Sequence, residues 1–427
     1  MHVSEQEIFQ RFFAEYAATH QLGAQQLRAA RCISGCGTRA MGAHVLGCPS
    51  GACEQLQFHA CRHRSCPRCA EAARCEWIDA TLERLLPCPH FHVVCTLPHE
   101  LIPVWACNRA AFAELFMRCV RESLLQLLAR PRVLGATPGL LLSLHTWGRT
   151  LSHHPHVHCL LSAGGIDAQG LWRACRPGWL LPVAALQHLL RGKLLAGVRQ
   201  GLQQHWVVPE RANLAAWLTN VGRLYRHHWN IEIRAPYEHG RGVVLYLARY
   251  AKGGPLPLQR PLQLDGSSVL MPYRDHRDGQ TKTLRLHVQE FISRLLWHVP
   301  PRGLHTIRHA GLYSSALRGQ HHLASQLLNV AATDRPWPRT PSPSRADPPP
   351  PACPHCGLPM LRLRCLPAAR LHAWPMHHLG EIPPRPPATP PWPLARGPTG
   401  RSNGQPTAKT PRPQPPPYHL VAAGGGP

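Results

Sequence analysis

Two short segments carry residue types whose spacing suits chemistry on a phosphodiester. Tyr246 and Tyr250 stand four apart in Gly242-Val-Val-Leu-Tyr-Leu-Ala-Arg-Tyr-Ala-Lys-Gly-Gly-Pro255, downstream of the run His153-His-Pro-His-Val-His158. A phenol can serve as a nucleophile, and imidazoles in alternation can hold a divalent metal. With 8 tyrosines in 427 residues, chance placement gives about 0.15 Tyr-x-x-x-Tyr pairs. The 30 histidines give about 2 His-x-His pairs by chance, so the tyrosine spacing is the stronger signal.

The elements that must position these groups follow from periodicity. Residues two apart on a strand share a face, so His156 and His158 point together and Val157 points away. Leu140-Leu-Leu-Ser-Leu-His-Thr-Trp147 and His156-Val-His-Cys-Leu-Leu-Ser162 read as paired strands, which brings His145 across as third ligand, with His92 on the strand Phe91–Leu97 as runner-up and a Gln or Glu elsewhere in the chain as the other alternative. The alternative is two solvated histidines on a half-exposed strand. The segment from Val243 to Ala251 contains no breaker and ends at Gly253-Gly254-Pro255, which predicts a helix. Val244, Leu247, Ala248 and Ala251 would form its apolar face, leaving Tyr246, Arg249 and Tyr250 within about 100° of arc on the other.

Chemistry joins the two sites. A phenol with a pKa near 10 is a weak nucleophile at neutral pH. Attack on a phosphodiester therefore needs a metal to polarise the phosphate oxygens and a cation, Arg249 or Lys252, to favour phenolate. Rejoining the resulting phosphotyrosine to a new end needs no ATP, because the bond energy is kept in the linkage.

Cysteines supply the third feature. Eight of the 17 fall between Cys32 and Cys75, and in an intracellular chain their spacing is read for metal before disulfides. Cys66-Pro-Arg-Cys69 is a zinc half-site, and Cys48-Pro-Ser-Gly-Ala-Cys53 is a wider candidate partner. Cys36, His44, Cys61 and His63 remain, enough for a second ion. One or two structural Zn²⁺ ions are expected, because so short a Gly- and Arg-rich stretch has too little apolar area to fold unaided. Arg62, Arg64 and Arg68 around it would face DNA.

Composition sets the partner class. The net charge is +25, from 47 Lys+Arg against 22 Asp+Glu, which points to a polyanion, with nucleic acid foremost. No run approaches the ~18 apolar residues of a membrane span, and the N-terminus lacks the pattern of a signal peptide. The expectation is a cytoplasmic, nucleoid-associated bacterial protein. Three stretches separate: residues 1–86, a helix plus the zinc module; 87–330, the catalytic stretch, mixing strands and helices as an antiparallel α+β sheet; and 331–427, a tail holding 27 of the 46 prolines. That tail reads as largely disordered, with Cys353-Pro-His-Cys356 and Cys365 as a small zinc knuckle within 353–365.

In this order and spacing the chain resembles the two-tyrosine rolling-circle transposases of the IS-ninety-one type, in the HUH endonuclease superfamily. The blocks that carry the likeness include Cys61-Arg-His-Arg-Ser-Cys-Pro-Arg-Cys69, His145-Thr-Trp-Gly-Arg149, His154-Pro-His-Val-His158, Tyr246-Leu-Ala-Arg-Tyr250 and Gly303-Leu-His-Thr-Ile-Arg-His309. The resemblance implies a central antiparallel sheet flanked by helices, His156 and His158 as ligands of Mg²⁺ or Mn²⁺, and Tyr246 and Tyr250 as nucleophiles. These would form 5′-phosphotyrosine links to single-stranded DNA and free a 3′-hydroxyl. The chain departs from the pattern at Cys48 and Cys53, four residues apart where the family usually leaves two. Two other readings share parts of this pattern: a replication initiator or relaxase with the same chemistry, and a zinc-dependent DNA-binding regulator without catalysis. Oligomeric state is not readable from the sequence.

Overall fold

Alternating and continuous apolar runs fold as the central sheet. In the computed structural model the residues described are 2–209, 213–238, 240–251, 254–256, 258, 260–275, 278–331, 350–371 and 379–382, and of Tyr246, Arg249 and Tyr250 the backbone alone is described. The sheet runs Ile307–Gly311, Thr137–Trp147, His153–Ile166, His90–Thr96 and Ile231–Tyr237, every neighbouring pair antiparallel. The short strand Trp172–Ala174 pairs with the end of His153–Ile166.

Strand alternation gives this sheet two different faces. Leu140, Leu142, Val157 and Cys159 point into the main core, which the helices Arg109–Leu128 and Val183–Gln204 cover. Leu141 and Leu160 point the other way, where the helix Arg241–Ala251 lays Val243, Val244 and Leu247 on them. Each such buried side chain contributes about 1.5–3 kcal/mol. Gly240 lets that helix start close to the sheet, since a Cβ there would come within 2.8 Å of His90 Nδ1.

A second core joins distant parts of the chain. The single leading helix expected from sequence is two helices, Glu5–Thr19 and Ala24–Gly35, the first opened by a capping box between Ser4 and Glu7. Ile8, Phe9 and Ile33 pack with Val288, Phe291 and Ile292 of the helix Val288–Trp297. Beside them lies a small sheet ordered His2–Val3, Leu262–Asp265, Ser268–Arg274, Thr281–His287. The cysteine segment holds the hairpin Ala43–Gly47 with Glu54–Phe58, then the helix Pro67–Leu82, which starts with proline at its first position. Within the tail, Leu361–Leu366 pairs antiparallel with Ala43–Gly47, and Leu379–Ile382 pairs parallel with Glu54–Phe58. Residues 383–427 lie outside the described residues. No helix among the described residues is long and apolar enough to cross a membrane.

Two histidines are built into the frame in their neutral form. His90 places Nδ1 2.8 Å from the Cys88 carbonyl and Nε2 against the Tyr313 hydroxyl. His298 places Nε2 3.1 Å from the Leu151 carbonyl and Nδ1 3.0 Å from Thr146 Oγ1, fastening the turn that leads into the histidine strand. Burial lowers their pKa values to about 4 and about 3. The unfolded chain binds these protons near pH 6.5 and the folded chain does not, so stability is lost as pH falls from about 6.5 toward 4. By about pH 5 each residue costs about 2 kcal/mol, and the pair removes a large part of a typical 5–15 kcal/mol total. The urea midpoint should therefore fall markedly between about pH 7.5 and about pH 5, and a constant midpoint would contradict the neutral assignment.

Candidate functional site

The register of the central sheet brings three histidines together. His145 lies directly opposite His156, and Ser143 opposite His158. The ring nitrogens of His145, His156 and His158 lie within 4.8 Å of one another, with His145 and His158 buried. His156 Nδ1 donates to the His154 carbonyl at 2.6 Å, which leaves Nε2 with its lone pair. His158 Nδ1 sits 2.9 Å from His92 Nε2, and His145 Nε2 is 3.2 Å from Ser143 Oγ. Such outer partners fix ring orientation in metal sites.

Electrostatics keep the group ligand-ready. Burial, reinforced by neighbouring imidazoles, pushes His145 and His158 well below the ordinary histidine value; burial also brings His156 down to about 4. At neutral pH all three are uncharged bases, the form that binds metal. Three nitrogen donors suit Mn²⁺ better than Mg²⁺, which prefers oxygen. His92, the alternative third ligand, stands behind His158 instead, lowered to about 3 by burial and Arg234.

The tyrosine helix lies on the same side of the sheet. Leu141 and Leu160, which it covers, share strand parity with His145 and with His156 and His158. Val244, Leu247 and Ala248 are buried as the helical pattern predicts. The side chains of Tyr246, Arg249 and Tyr250, and all of Lys252, lie outside the described residues.

The cysteines separate into groups that spacing did not reveal. Cys36, Cys61, Cys66 and Cys69 form one group, with Cys69 Sγ 3.5 Å from Cys36 Sγ and 3.6 Å from Cys61 Sγ. Sulfurs at those separations fit a tetrahedral Zn–S shell of about 2.3 Å and are far beyond a disulfide bond. Cys48 and Cys53, the candidate partners of Cys66 and Cys69, lie elsewhere, beside Cys353 and Cys356. His44 joins His59 and Cys365. The signal for the first of these was present in sequence as the Cys-x-x-Cys at 353; nothing local singled out His59.

The arginines divide too. Arg62 is exposed in a left-handed turn at φ 53°. Arg64 is exposed as well, but it donates at 2.9 Å to both the Leu304 carbonyl and Thr306 Oγ1, which ties the zinc module to the approach of the sheet's edge strand. Arg68 lines a small cavity with Glu5 and Arg260.

The sequence that builds this site has counterparts among known proteins. Residues 8–97 match a family model described as "Transposase zinc-binding domain", and residues 139–321 match one described as "Putative transposase". The chain is 34% identical over 325 residues to "Putative transposase y4qJ" of Sinorhizobium fredii, covering 74% of this chain and 81% of that protein. It is 31% identical over 299 residues to "Transposase for insertion sequence element IS801" of Pseudomonas savastanoi pv. phaseolicola, covering 67% and 70%. No solved structure matches. Fold and matches together define a transposase with a zinc-binding domain, a protein that acts on DNA. More narrowly, the chain belongs to the IS-ninety-one type of insertion-sequence transposases.

Proposed function

We propose that the chain nicks and transfers single-stranded DNA through 5′-phosphotyrosine intermediates during rolling-circle movement of an insertion sequence. One observation carries the reading: the three-histidine cluster and the helix bearing Tyr246 and Tyr250 occupy the same face of one sheet. His145, His156 and His158 would hold Mn²⁺ or Mg²⁺, and Cys36, Cys61, Cys66 and Cys69 would hold a structural Zn²⁺.

The bound divalent ion supplies polarisation of the scissile phosphate. The chain supplies the rest. A tyrosine Oη attacks phosphorus, the bond from phosphorus to the 3′ oxygen breaks, and that oxygen leaves with the electron pair and takes up a proton. Arg249 or Lys252 favours the phenolate by charge. In the reverse direction a 3′-hydroxyl attacks the phosphotyrosine, restoring the phenol and sealing a strand without an external energy source. The charge of +25 draws the strand in, with affinity that falls as salt rises.

The decisive test uses the full chain, Mn²⁺ and a single-stranded oligonucleotide carrying the element's end. Cleavage should leave one product covalently attached, migrating with the protein under denaturing conditions, and chelation should remove the reaction. Mn²⁺ should restore it better than Mg²⁺. Salt-sensitive binding with no covalent product under any divalent ion would sink the proposal in favour of a regulator.

A further inference from the structure

Cys48 and Cys53 sit on the hairpin of the N-terminal module, yet their neighbours come from about 300 residues later in the chain. Cys48 Sγ lies 3.4 Å from Cys356 Sγ, and Cys53 Sγ lies 3.5 Å from Cys353 Sγ. The sulfurs of Cys48, Cys353 and Cys356 are all within 4.8 Å of one another. We propose that these four cysteines bind a second structural Zn²⁺, which staples residues 350–366 onto the N-terminal module.

The donor set suits zinc. Cys48, Cys353 and Cys356 lie close enough together to share one Zn–S shell, Cys53 reaches the group through Cys353 at 3.5 Å, and these contacts are too long for disulfides. Each half-site comes from a tight turn: Cys48 N donates to the Cys53 carbonyl at 2.8 Å, and Cys353 N to the Leu358 carbonyl at 2.7 Å. The His355 amide points at Cys353 Sγ at 3.4 Å, which fixes the direction of that sulfur. A zinc ion would take the four sulfurs as thiolates and neutralise their charge in place.

The module is shaped to receive this segment. Gly42 has φ 84°, and a Cβ there would lie 2.7 Å from the Leu366 carbonyl oxygen; at Gly47 a Cβ would lie 2.6 Å from Leu363 Cδ1. Leu366 completes the small core of Ala43, Val45 and Leu56, and Met360 completes that of Leu46 and Cys48. A two-stranded hairpin is marginal in water. Here the third strand and the ion come from beyond the catalytic sheet, so one module is built from both ends of the described chain.

The test counts zinc by native mass spectrometry under reducing conditions. It is done in a Cys365→Ser background, which discounts any ion held with His44 and His59. Cys353→Ser with Cys356→Ser should lose one ion per chain, and so should Cys48→Ser with Cys53→Ser. The quadruple variant should also lose one, because the four residues share a site. An unchanged count in the Cys353/Cys356 variant, or two ions lost in the quadruple variant, overturns the proposal. The unmodified chain offers a second readout that does not depend on variant folding. In pulsed alkylation during graded chelation, Cys353 and Cys356 should become reactive in step with Cys48 and Cys53, and hydrogen exchange at 361–366 should rise with them. Alkylation of Cys353 and Cys356 while Cys48 and Cys53 stay protected counts against the shared site.

Discussion

Replacing Tyr246 and Tyr250 together by phenylalanine should abolish covalent attachment to DNA while leaving fold, zinc content and strand binding intact. The change removes two hydroxyls and nothing else, and the helix keeps the apolar face that seats it on Leu141 and Leu160. The proposed 5′-phosphotyrosine then lacks both of its nucleophiles. The loss should exceed a thousandfold, which corresponds to about 4 kcal/mol or more of lost transition-state stabilisation. Each single variant separates the roles of the two phenols. If one opens the donor strand and the other serves strand transfer, Tyr246→Phe and Tyr250→Phe should each retain one covalent step and lose completed transfer. A full-strength adduct in the double variant would show that the phenols on this helix are not the nucleophiles.

How much of this was legible depends on the range over which each interaction acts. Alternation over Leu140 to His145 and His156 to Leu161 set which side chains share a sheet face, and one hairpin register then placed His145 opposite His156. Helical spacing gave the apolar face of Val244, Leu247 and Ala248 for the same reason: each pattern is local. The cysteine pairing was not local. Cys66 and Cys69 take Cys36 and Cys61, whereas Cys48 and Cys53 meet Cys353 and Cys356 about 300 residues away. Spacing within 31–85 carries no information about that. Arg64 shows another limit: its charge suggested DNA, but its use depends on the Leu304 carbonyl and Thr306 arriving from a separate segment. Leu361–Leu366 likewise finds its place by pairing with Ala43–Gly47, a partner that the zinc-knuckle spacing within 353–365 does not announce.

The remaining large effect concerns the histidine face. His156→Ala with His158→Ala should cut metal-dependent cleavage on the order of a thousandfold, because Lewis-acid stabilisation of a phosphoryl group is worth several kcal/mol. Binding of single-stranded DNA should persist, since it draws on a charge of +25 spread over the whole chain. Folding should persist as well, because these buried rings are stored as neutral bases and the face beside them is held by Leu141, Leu160 and the tyrosine helix. Mn²⁺ titration by calorimetry separates the contributions: the double variant should lose the binding isotherm. His92→Phe replaces the imidazole whose Nε2 stands 2.9 Å from His158 Nδ1 and should weaken metal affinity by about 10–100-fold. Raising Mn²⁺ should then recover cleavage in His92→Phe and not in the double variant, because a mispositioned ligand still binds at higher metal concentration and an absent one does not. Near-normal cleavage by a folded His156→Ala/His158→Ala protein would detach the histidine cluster from the chemistry and leave the shared sheet face without a function.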